Sequence, residues 1–81
     1  MADADFFLTC RMKAQEARVT IADIRPGGCH DVLVRVHLRE AERYDKMAAE
    51  ELARMTEEAT EVGKPVRFPL QNGWAIVAEP A

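Results

Sequence analysis

DKMAAEELARMTEEATEVG, residues Asp45 to Gly63, is the stretch whose reading decides the fold. Tyr44, Met47, Ala48, Leu52, Met55, Ala59 and Val62 recur at three- and four-residue steps, which puts them on one stripe of an amphipathic helix. Glu50, Glu51, Glu57, Glu58 and Glu61 fall on the opposite face. Asp45 is suited to cap the first turn, Gly63 to end the helix in a left-handed conformation, and Pro65 forbids continuation. The spacing therefore predicts one helix with marked ends and an apolar stripe that must be covered.

Working outward toward the N-terminus, FFLTCRMK (residues 6 to 13) alternates, with Phe6, Leu8, Cys10 and Met12 on one side and Phe7, Thr9, Arg11 and Lys13 on the other. That is the period of a half-buried strand. RVTIADI (18 to 24) repeats it, and DVLVRVHLR (31 to 39) sets Val32, Val34, Val36 and Leu38 against Leu33, Arg35, His37 and Arg39. Between these two segments RPGG, Arg25 to Gly28, is a strong loop signal. Beyond the helix, Asn72-Gly73 reads as a two-residue hairpin turn between Val66 to Leu70 and Trp74 to Ala78, with Pro69 confining the first of those strands to an edge. The expected fold class is α+β, an antiparallel β-sheet in the order β-β-β-α-β-β with the single helix packed on one face and the other face open. Trp74 and Tyr44 are expected in the core.

Eighty-one residues make one domain, 1–81, with ends expected to fray at about 1–4 and 79–81. Hydrophobic residues make up 48% and charged residues 31%, the balance of a folded globule rather than a disordered segment. Nothing in it reads as a leader or an apolar span, so the expected location is the cytoplasm, with no membrane partner.

Chemistry-bearing residues are few. Cys29 and His30 are neighbours, and in an extended chain neighbours point to opposite sides, so the pair lacks the geometry of a nucleophile and its base. His37 stands about 20 Å along a strand from Asp31, too far to share one ion with it. The expectation is a protein with no catalytic residue, no metal and no cofactor.

Charge is unevenly spread. From Glu40 to Glu61 there are eight acidic and three basic residues, a local charge of −5 within a total of −3. Two candidate surfaces follow. One is the acidic helix face, Glu50, Glu51, Glu57, Glu58 and Glu61, able to meet a basic groove that otherwise holds nucleic acid. The other is a basic outer sheet face, Arg11, Lys13, Arg18, Arg35, His37 and Arg39, open to an acidic protein or to nucleic acid. Phe7 alone supplies an aromatic platform there, so a protein partner is favoured over direct nucleic-acid binding. A homodimer built through a free sheet edge is a further expectation.

In size, acidity and expected element order, strands around one Ala- and Glu-rich helix, the chain resembles small inhibitor proteins of phages and mobile elements, the anti-CRISPR proteins in particular. That resemblance implies a non-enzymatic action, docking on a nuclease or surveillance complex to block nucleic-acid access or activation. The Pro-Gly-Gly-Cys turn at Pro26 to Cys29 is also similar to the turn before the third strand of small antitoxin domains.

Overall fold

The computed structural model describes residues 2–23 and 31–81. Its element order is helix α1 (Ala4–Asp23), helix α2 (Asp31–Val62), strand β1 (Val66–Pro69) and strand β2 (Ala75–Ala78). This corrects the β-β-β-α-β-β expectation: the segments 6 to 13, 18 to 23 and 31 to 39 are helical, and the sheet has two strands. The helix over 45 to 63 is the second half of a helix that begins at Asp31, so Asp45 caps nothing. The RPGG loop, Ile24, Cys29 and His30 lie outside the described residues.

The strand-like alternation is real, but a second period runs through the same residues. In α1, Phe7, Cys10, Ala14, Ala17 and Ile21 are spaced three and four apart; in α2, so are Val34, His37, Ala41, Tyr44, Ala48, Glu51 and Met55. No glycine or proline interrupts either run, and Leu, Met, Arg, Lys, Gln, Glu and Ala all favour a helix. Once a helix is nucleated, each further residue adds a hydrogen bond at low cost, so α2 extends through its β-branched start to the stop at Gly63. There the Gly63 N–H donates to Ala59 O at 2.8 Å, with Gly63 at φ 78°.

The two repeats face each other. Arg18 of α1 pairs with Asp45 of α2, and the Asp3 N–H just before α1 donates to Glu51, so the helices run antiparallel. A mean repeat of 3.5 residues is that of a left-handed coiled coil. Cys10, Ala14 and Ala17 are buried against Ala41 and Ala48, and these small side chains let the backbones approach closely.

The β-hairpin closes one end of this pair. Phe68 on β1 is buried with Ala4, Met55, Ala59 and Ala78, and Phe7, Val66, Leu70 and Ile76 pack around them. Val66 pairs with Ala78 and Phe68 with Ile76. The Leu70 N–H donates to Trp74 O at 2.7 Å and the Gly73 N–H to Leu70 O at 3.3 Å, which makes a three-residue loop, Gln71 to Gly73, in place of the expected two-residue turn. Gly73, at φ 89°, takes the left-handed position that this loop requires. Trp74 leaves the core altogether and is 75% exposed.

Ala14 separates the helical reading from the strand reading. In a strand meander it would sit in a surface turn and accept Leu; in the seam it is 1% exposed. Ala14→Leu should lower the unfolding free energy by about 1–3 kcal/mol, measured by urea denaturation.

Candidate functional site

The acidic face expected on the helix separates into two groups with different work. Glu51 is 4% exposed and lies in the seam, where Oε1 accepts the Asp3 N–H at 2.7 Å and Oε2 accepts Arg54 Nη1 at 2.6 Å. Glu58 Oε1 accepts the Ala2 N–H at 3.0 Å. Asp3 in turn caps α1, its Oδ1 accepting the Phe6 N–H at 3.0 Å. Glu51 and Glu58 thus hold the start of α1, whose unpaired amides and helix dipole favour negative charge. Glu50, Glu57 and Glu61 remain exposed on the outside of α2.

Both ends expected to fray carry hydrogen bonds of this kind. The Ala81 N–H donates to Thr60 Oγ1 at 3.0 Å, and the hairpin loop is pinned by the Gln71 N–H donating to Asp5 Oδ1 at 3.1 Å.

The six basic residues do not share a sheet face, because they lie on helices. Arg11 and Arg18 border one side of the helical pair; Lys13 and His37 border a different hollow, with Glu16, Glu40 and Tyr44; Arg35 and Arg39 are exposed on α2. Two are neutralised locally, Arg18 by Asp45 and Lys13 by Glu16 at 4.0 Å, and His37 Nδ1 lies 3.8 Å from Glu40. The aromatic needed for stacking is no better placed, since Phe7 is half-buried under the hairpin.

What the structure does assemble is an open apolar trough. Ala49, Leu52, Ala53 and Thr56 line it along α2, and it continues past Phe7 and Ala48 toward Arg11 and Arg18. Leu52 is 44% exposed, and Leu38, two heptads earlier on the same flank, is 48% exposed. The stripe reading assigned Leu52 and Val62 to the buried face, yet both are exposed. The flank is legible in the sequence once α2 is known to be continuous: Ala49, Leu52, Ala53 and Thr56 follow the i, i+3, i+4, i+7 pattern beside the main stripe.

Among the described residues no group of three or more His, Cys, Asp or Glu side chains is gathered to hold a metal ion. No helix among them is long and apolar enough to cross a membrane. Cys10 is buried in the seam, and desolvation, helped by the Glu51 carboxylate, pushes its thiol pKa up. Comparison with known proteins gives no match: no family model fits the sequence, and neither a curated protein nor a solved structure is similar to it.

Two outcomes follow for the seam. Glu51→Ala leaves the Asp3 N–H and Arg54 without their shared acceptor and should cost about 1–3 kcal/mol, whereas Glu50→Ala should stay within about 0.5 kcal/mol; paired urea titrations measure both. A thiol pKa raised in the folded state means that the folded protein holds its proton longer than the unfolded chain. Stability is then fully present below the ordinary thiol value of about 8.5 and falls as pH rises above it. Between neutral and alkaline pH the protein should lose more stability than Cys10→Ala loses over the same range, by denaturation at each pH.

Proposed function

We propose that the protein is a non-catalytic protein-binding module of the cytoplasm that works through the open flank of α2. The observation that carries this reading is the amount of surface left uncovered. The accessible surface is 6144 Å², against about 4,900 Å² for a compact monomer of 9.1 kDa. The buried core is mostly alanine, with Met55 its one fully buried large side chain among the described residues, while Leu38, Leu52, Met12, Val19 and Val36 face outward. Helices normally bury such side chains against a second layer. The radius of gyration, 16.1 Å, likewise exceeds the roughly 12 Å of a compact chain of this length.

Direct nucleic-acid binding has less to support it, because the cations that would carry it are divided among separate faces and partly paired. The narrower inhibitor role rests on small size and acidity; the strand-rich element order that accompanied it is not the order of this protein.

The test is capture of the tagged protein with its partners from lysates with and without nuclease treatment, alongside a Leu38→Glu, Leu52→Glu double variant. Both positions are solvent-facing, so the unfolding free energy should hold within about 0.5 kcal/mol while the partners are lost. Retention of the same partners by the variant, or recovery of nucleic acid with no protein, would overturn the reading.

A further inference from the structure

The smallest extent of the molecule is 15 Å, little more than the diameter of one helix with its side chains, so the helical pair is a single layer. Its excess surface, roughly 1,200 Å² over a compact monomer, exceeds the ~800 Å² per partner that a standard stable interface covers. What would cover it is written in the charges of α2. Arg35, Arg39 and Lys46 are exposed on its first half, and Glu50, Glu57 and Glu61 on its second. At 3.6 residues per turn all six fall within about 80° of arc, along the edge of the flank that carries Ala49 and Ala53. Arg35 and Glu61 stand at equal distances either side of Ala48, as do Arg39 and Glu57, and Lys46 and Glu50. None of the six joins an ion pair within the chain among the described residues.

Along this ridge the charge reverses about the middle of the helix, although the first half as a whole is balanced by Asp31, Glu40, Glu42 and Asp45, and such a ridge is complementary to its own antiparallel copy. The geometry points to a second copy of this chain as the occupant of the α2 flank: two protomers pack α2 against α2 about a two-fold axis near Ala48. Arg35 then faces Glu61 of the other copy, Arg39 faces Glu57, and Lys46 faces Glu50. Leu38, Ala49, Leu52 and Ala53 supply the apolar centre, and the charged ridge sets orientation and register. An isologous contact of this kind repeats each pair twice, so three couples give six cross-chain pairs. A parallel two-fold arrangement would carry the two ridges to opposite edges of the contact and lose all six pairs, so the charges favour the antiparallel orientation. The inference rests on the binding reading above and names its partner.

The experiment is a molar-mass measurement on the full chain by light scattering or sedimentation, with two charge variants. One, Arg35→Glu with Arg39→Glu, leaves Lys46 as the one cation among the six; the other, Glu57→Arg with Glu61→Arg, leaves Glu50 as the one anion. Wild type should be dimeric at about 100 µM, and each variant alone should dissociate with a Kd raised at least about tenfold. Mixing the two variants should restore a dimer containing one chain of each. All four positions are exposed, and far-ultraviolet circular dichroism on each variant confirms that the helices persist. A monomeric wild type, or variants that dimerise as well as wild type, would overturn the inference. A monomeric wild type that still retains protein partners lost by Leu38→Glu, Leu52→Glu would sink self-association alone, whereas retention of those partners by that variant would sink the binding reading itself.

Discussion

Close approach of two antiparallel helices along a seam of small side chains is the constraint on which the rest of the structure depends. Cys10, Ala14 and Ala17 meet Ala41 and Ala48, and side chains this small contribute little apolar area each. What they supply is proximity, which brings dispersion contacts between the backbones and draws flanking groups such as Arg18 and Asp45 together. The same economy limits the core. Among the described residues, larger apolar side chains gather where the hairpin adds Phe68 over Met55 and Ala59, so stability is concentrated at one end of the pair.

Glu51 shows how such a seam tolerates a charge. It occupies a position that the heptad reserves for an apolar residue, and burial of an unpaired carboxylate there would be costly. Its two oxygens are instead used by the Asp3 amide and the Arg54 guanidinium. Glu58 repeats the arrangement one heptad later with Ala2. These carboxylates are structural fasteners, whereas Glu50, Glu57 and Glu61 are exposed.

The C-terminal third was legible from sequence, and its punctuation explains why. Gly63 and Pro65 end a helix and Asn72-Gly73 turns a chain, each by a backbone preference that acts locally, although the turn is one residue longer than the dipeptide suggested. The first half was misread because two periods coexist there. Phe6, Leu8, Cys10 and Met12 alternate as a strand does while Phe7, Cys10, Ala14 and Ala17 keep the heptad, and Val32 to Leu38 is rich in β-branched residues. Outward-facing Met12, Val19 and Val36 blur the helical period, because exposed apolar residues look in sequence like those of a core. The decisive sign was negative: no Gly or Pro separates Asp31 from Val62, so no residue marks a strand-to-helix boundary near Glu40. The candidate site suffered accordingly. Its acidic residues do lie on a helix, but their division between fastening and exposure depends on which side of α2 meets α1.

The fastening of Ala2 and Asp3 to Glu58 and Glu51 also bears on the order in which the chain can fold. These bonds join residues 56 and 48 positions apart, a long reach for a protein made mostly of helix. During synthesis α1 is made before its acceptors, and its seam has little to pack against until α2 follows. Helix α1 is therefore a late folder although it precedes α2 in the chain, and in that interval its outward and seam-facing apolar residues are equally exposed to any chaperone that recognises them.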